Sequence, residues 1–159
     1  MIKLYHGSTV DINDIDLEKS RPNKDFGKGF YLAEDLQQAW RMAQFKALIE
    51  GGTPVMNTFL FDEINMISGE LKTLTFENYS PEWADFVFLN RNNKQLTAAH
   101  DYDIVYGPIA NDRIGLQIKK FEAGDITRKQ FLRNLKYIKG ITFQYYFGTQ
   151  KAISKLTKI

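Results

Sequence analysis

The sequence predicts an α+β domain in which mixed strands form one or two small sheets flanked by helices. Three observations predict it. Short apolar runs such as Ile2 to His6, Gly29 to Ala33 and Ile141 to Phe147 stop at glycine or turn residues and read as strands. Longer runs with apolar residues at helical spacing open on Asp, Ser, Asn or Thr caps. A length of 159 residues allows one domain with one sizeable core, residues 1–159, and no repeat, linker or low-complexity segment divides it.

Each element follows from local chemistry. Ile2 to His6 is a strand that ends at Gly7, and residues 9 to 25 are polar, with Pro22-Asn23 marking a loop. Gly29 to Ala33 is the next strand. Glu34 to Ile49 is a helix: Leu36, Ala39, Trp40, Ala43, Ala47 and Leu48 recur at helical spacing, Asp35 suits the positive end of the dipole, and Gly51-Gly52 ends it. Pro54 to Asp62 and Leu71 to Phe76 read as strands around the Ser68-Gly69 turn. Ser80 caps a helix with Pro81 at its first position, and Trp83, Phe86, Val87 and Leu89 are its apolar residues. Tyr102 to Tyr106 is a strand stopping at Gly107-Pro108. Asn111-Asp112 opens a helix to about Ala123, Asp125-Ile126-Thr127 caps another to about Tyr137, and Gly140 breaks it. Ile141 to Phe147 is the last strand, and Thr149 caps a short helix through Leu156.

Composition narrows the function. A net charge of +2 is too mild to indicate nucleic acid by itself. The absence of cysteine excludes disulfides and thiolate metal sites, and two histidines, His6 and His100, make a histidine-rich metal site an unlikely design. Met1 to His6 turns polar at once, so no signal-peptide pattern is expected, and no apolar run approaches the roughly 20 residues that span a bilayer. A cytoplasmic protein without a membrane partner is the expectation.

Four segments can carry chemistry, and each has an ordinary structural reading beside the functional one. His6 ends a strand before Gly7, where its ring can meet a ligand or bond a neighbouring carbonyl. Gly27-Lys28-Gly29-Phe30-Tyr31 can cradle a phosphate or simply turn into a strand; it lacks the Walker spacing and the dinucleotide fingerprint. Alternation puts Gln144 and Tyr146 on one strand face, with Tyr145 and Phe147 on the other. Asn111-Asp112-Arg113 follows a Gly-Pro turn, in a pattern that also serves as a helix cap. The aromatics among them suggest one pocket for a flat, hydroxyl-rich ligand.

Together these segments resemble the ADP-ribosyltransferase superfamily, and within it the histidine–tyrosine–glutamate branch that includes the poly-ADP-ribose polymerases. The residues that carry the resemblance are Tyr5-His6-Gly7-Ser8, Asp25-Phe26-Gly27-Lys28-Gly29-Phe30-Tyr31, Gly107 to Arg113, and Gln144 to Thr149, which span nearly the whole chain. They are most similar to a group of small bacterial proteins assigned to that fold. The resemblance implies a split β-sheet sandwich flanked by helices, with NAD as substrate in a cleft between two small sheets. It implies that His6 bonds a ribose hydroxyl, Gly7 holds the nicotinamide carboxamide through its backbone, and Ser8 adds a hydroxyl contact. It further implies that Gly29 and Tyr146 line the cofactor site and that Tyr31 stacks on the nicotinamide ring, as a flat cation suits an aromatic face.

The departure is at the third position of the triad, where the polymerases carry glutamate and this chain has Gln144. An amide can hydrogen-bond a ribose hydroxyl but cannot act as a base. Transfer of a single ADP-ribose is therefore expected, with Asp112 as the candidate carboxylate and Glu34 and Asp35 behind it. The resemblance also implies a macromolecular acceptor, protein or nucleic acid, and a toxin role with an antitoxin protein that blocks the cleft. Lys119, Lys120, Arg128, Lys129, Arg133, Lys136 and Lys139 make the C-terminal third basic, as a nucleic-acid-facing stripe or a solvated helix face would be. The alternative from another class is a non-catalytic module that binds NAD, another nucleotide or single-stranded nucleic acid through the same aromatics.

Overall fold

Alternating side chains on short strands require two faces to be covered, and the chain covers them differently. The computed structural model describes residues 1–159. Its strands are β1 (Ile2–Ser8), β2 (Phe30–Ala33), β3 (Val55–Phe61), β4 (Thr73–Thr75), β5 (Ile104–Pro108), β6 (Phe143–Phe147) and β7 (Leu156–Lys158). Its helices are α1 (Leu36–Glu50), α2 (Pro81–Arg91), α3 (Asp112–Glu122), α4 (Arg128–Leu135) and α5 (Gln150–Ile153). All strands join one curled sheet in the order β4-β5-β6-β2-β1-β3-β7. Pairing is antiparallel except between β4 and β5. The architecture is α+β.

One face of the sheet closes on itself. Leu4, Phe30, Leu32, Phe59, Phe61, Ile104, Tyr145 and Phe147 meet there with Ala152 of α5. The register explains the meeting, because Leu4 faces Phe59, Phe30 faces Phe147 and Ile104 faces Phe147 across neighbouring strands. On the other face, Val105 and Tyr146 pack under Trp83 and Val87 of α2, Ile114 and Ile118 of α3, and Phe131 and Leu135 of α4. These helices are capped as their sequences require: Ser80, Asn111 and Thr127 each accept a backbone N–H from the first turn, and Thr127 with Gln130 completes a capping box.

α1 lies against β1 through small residues. A Cβ at Gly7 would come within 1.9 Å of Ala39 O and 2.6 Å of Ala43 N, so only glycine permits this approach. Asp35 is the cap of α1, its side chain accepting from Gln38 N–H at 3.0 Å, so the helix begins at Leu36 rather than Glu34.

Further element boundaries differ from expectation: β1 does not end at Gly7 but runs through Ser8, where Gly7 and Ser8 pair with Met56 and Val55 of β3. β5 does not stop at Gly107-Pro108 but runs through both, which pair with Gln144 and Phe143. Pro108 has no N–H to donate, and it sits in the last position of the strand. The C-terminal helix ends at Ile153, and Leu156 belongs to β7, not to the helix. There Leu156 faces Phe61 and packs on the closed face, which a continued helix would leave short of one apolar side chain. The segment after Ser68-Gly69 is a strand only over Thr73–Thr75.

Candidate functional site

The sheet is joined at its middle by very little. β1 and β2 share one register pair, Tyr5 with Ala33, whereas β1 and β3 pair along the whole strand. Beyond that pair the two strands part, and the His6 ring occupies the gap. Its Nδ1 lies 2.8 Å from Tyr31 O, and its ring stacks on Phe30 with centroids 4.6 Å apart. A carbonyl oxygen only accepts, so Nδ1 carries the proton and Nε2 is left as an acceptor. Burial drives the His6 pKa down to about 4, the Tyr31 carbonyl opposes this, and the nearby Lys46 and Lys24 push the same way as burial. His6 is therefore neutral at physiological pH.

A cleft of about 760 Å³ opens along this joint, lined by His6 and Gly7 from β1, Tyr31 and Ala33 from β2, Gln144 from β6 and one flank of α1. Its volume lies in the range of small-molecule sites. Gln144 faces it because of the register: it lies between Ala33, which carries only a methyl group, and Gly107, which carries no side chain, so neither neighbour covers the amide. Tyr31 is held firmly. Its hydroxyl donates to Gly27 O at 2.6 Å and accepts from Phe26 N–H at 3.0 Å, which ties Phe26 and Gly27 to the sheet.

Two lysines contact the residues to which sequence resemblance gives the nicotinamide. Lys24 Nζ sits 5.0 Å from the Tyr31 ring centroid, and Lys46 Nζ donates to Gly7 O at 3.0 Å. Burial lowers the pKa of both, and Arg21 adds like-charge repulsion to each. Lys19, Arg21 and Arg91 also line the cleft, against the carboxylates of Asp25 and Glu50. This surplus of cations, of which Lys46 and Arg91 are half-buried and Lys19, Arg21 and Lys24 exposed, is relieved by an anion.

The remaining expected residues are dispersed. Ser8 and Gly29 line an adjoining cavity of about 550 Å³ that shares His6, Tyr31, Lys24 and Lys46 with the cleft. Ser8 Oγ accepts from Val10 N–H at 3.3 Å, and Gly29 N–H donates to Ser20 Oγ at 3.0 Å. Tyr146 is not in the cleft: it is buried on the helix-covered face, and its hydroxyl donates to Lys28 O at 3.0 Å, supporting the glycine loop from behind. Asp112 is exposed in the first turn of α3, outside the residues that line the cleft. Its place is that of a carboxylate at a helix N-terminus. Glu34 accepts from the Tyr106 hydroxyl at 3.3 Å and Asp35 caps α1, so neither enters the cleft. The basic residues of the C-terminal third are exposed on and after α3 and α4, and Arg128 pairs with Asp85 at 2.6 Å.

Residues 2–157 match the family described as Protein of unknown function (DUF3990). The chain belongs to that family. No curated protein and no solved structure matches it.

In this DUF3990 domain the cleft and the loop beside it also depend on residues outside the four sequence segments, or unassigned within them. Asp25 stands in the central motif, where the resemblance gives it no role; it pairs with Arg91 at 3.3 Å, its side chain is 19% exposed, and burial raises its pKa while Arg91 and the Ala110 amide hold it down. Lys46 is recoverable from helical spacing, lying three residues beyond the buried Ala43. Arg91, far away in sequence at the end of α2, carried no local signal. Asn57 was signalled: it stands at an inward position of a strand whose other inward residues are Phe59 and Phe61. Fully buried, it accepts from Ile12 N–H at 2.7 Å and donates to Val10 O at 2.9 Å and His6 O at 3.5 Å, fixing the polar loop to β1.

Proposed function

We propose that the chain is an NAD-dependent mono-ADP-ribosyltransferase, which releases nicotinamide from NAD and transfers one ADP-ribose to a macromolecular acceptor. The observation that carries this reading is the parted joint of the sheet, where His6, Gly7, Tyr31 and Gln144 line a single cleft. The chemistry of the donors and acceptors fits NAD. The Nε2 acceptor of a neutral His6 suits a ribose hydroxyl. The cations Arg21, Lys24 and Lys46 suit a diphosphate. The Tyr31 face suits a flat ring once Lys24 turns to the phosphates, and Gln144 suits a second ribose hydroxyl. An amide in that place takes no proton, so the product carries one unit per site. In the cell such a domain acts as a toxin restrained by a partner protein that covers the cleft.

The test is nicotinamide release from NAD, followed by mass spectrometry, by purified protein with and without cell extract. Release is expected for the wild type, and Tyr31→Ala and His6→Ala should each weaken NAD binding by about 1–3 kcal/mol. Unchanged affinity in both folded variants rejects these roles, and ladders of poly-ADP-ribose reject the single-unit product.

A second reading, a non-catalytic nucleotide-binding module, draws on one observation. Lys24 over Tyr31 and Lys46 on Gly7 O stand where a cationic ring would go, and they favour an anionic ligand without one. Calorimetry separates the two. If ADP-ribose binds as tightly as NAD and no nicotinamide is released, the module reading holds.

A further inference from the structure

We propose that Asp25 is the catalytic carboxylate of the cleft, the group that takes the acceptor's proton during transfer. This rests on the transferase reading above. Gln144 cannot take a proton, and Asp112, Glu34 and Asp35 do not line the cleft. Two carboxylates do. Glu50 lies exposed at the last turn of α1, whereas Asp25 lies on the loop tied to Tyr31 by the two bonds of the tyrosine hydroxyl. Asp25 is mostly buried, with 19% of its side chain open, and it is oriented by Arg91 of α2 at 3.3 Å. Asp25 and Tyr31 line the same cleft, and Asp25 directly precedes the Phe26 N–H that the Tyr31 hydroxyl accepts from. Burial pushes its pKa up, the direction a proton acceptor needs, and the Arg91 guanidinium keeps it from rising freely.

The step balances as follows. The C1′–N bond to nicotinamide breaks, and its electron pair leaves with nicotinamide. An acceptor oxygen, from water or a macromolecular hydroxyl, forms the new bond to C1′. The proton that this oxygen loses passes to the Asp25 carboxylate, which returns it to water after product leaves. The Arg91 pair holds the carboxylate in place throughout.

The experiment compares wild type, Asp25→Asn and Asp25→Glu in three measurements: NAD affinity by calorimetry, thermal melting, and nicotinamide release. Asp25→Asn is expected to bind NAD within about threefold of wild type while releasing nicotinamide about 100-fold more slowly, the scale of a lost general base. Asp25→Glu, which keeps the charge and the Arg91 partner, should recover about tenfold of that loss. A rate for Asp25→Asn close to wild type overturns the proposal. So does a rate lost together with NAD binding or melting temperature, with no recovery in Asp25→Glu, which marks a structural anchor. Wild-type protein that binds NAD and releases no nicotinamide overturns the transferase reading and this proposal with it. Wild-type turnover with an unaffected Asp25→Asn variant overturns this proposal alone.

Discussion

His6 shows how one side chain reports on the joint it fills. Its ring is half-buried, neutral and bonded through Nδ1 to Tyr31 O, with a pKa of about 4 against an ordinary value of 6.5. The unfolded chain therefore binds more protons between those values, and stability falls as pH drops from 6.5 towards 4. At about 1.36 kcal/mol per unit the contribution is up to roughly 3 kcal/mol, fully present above pH 6.5. His6→Asn keeps a donor for Tyr31 O and removes the titration. Denaturant unfolding across this pH range should show the wild type losing up to about 3 kcal/mol relative to the variant. Parallel curves would mean that the ring is solvated and free to charge. The same residue illustrates why site geometry is only partly legible in sequence. The sequence places His6 on the first strand beside Gly7, although that strand runs on through Gly7 to Ser8, and the tautomer follows from a carbonyl 25 positions away.

At the scale of elements, local chemistry carried most of the assignment, and long-range packing accounts for the rest. Caps at Ser80, Asn111 and Thr127 lie where the sequence puts them because they answer local N–H groups. β7 was missed because Leu156 is a strand residue only by virtue of Phe61 beside it. Tyr146 and Asp112 share motifs with Gln144 and Asn111, yet motif membership does not fix which face a residue takes. Alternation put Tyr146 with Gln144 on one sheet face correctly, but α2 and the glycine loop cover that face at Tyr146 and leave it open at Gln144. Asn57 yields a prediction of its own. Asn57→Ala leaves Ile12 N–H and Val10 O without their partner in a buried setting, which costs about 2–4 kcal/mol. The loop between β1 and β2 then loosens, and NAD affinity should fall with stability. Chemical denaturation and calorimetry of this variant check both; a loss of stability without any loss of affinity would detach the loop from the site.

For the whole molecule, a ligand in the cleft touches both parts of the sheet and must stabilise the fold. NAD at a hundred times its Kd should add about 2.7 kcal/mol. For a chain of this size that raises Tm by roughly 5–10 °C. The shift should shrink with added salt, because the lining cations are only partly shielded, and should shrink at the same NAD concentration in Tyr31→Ala. No shift at any NAD concentration would remove NAD as the ligand. The single pair of Tyr5 with Ala33 has a further consequence for motion. β1, β3 and β7 are laddered to one another, as are β2, β6, β5 and β4, and beyond the Tyr5–Ala33 pair and the bond from His6 to Tyr31 O the two groups meet through apolar side chains on the closed face. Side-chain contacts of that kind tolerate sliding, whereas a ladder does not. Amide hydrogens inside each ladder should exchange with solvent only when the whole domain opens, and those at the seam should exchange far sooner. The width of the cleft should then vary without unfolding, and uniform exchange across seam and ladders would show that it does not.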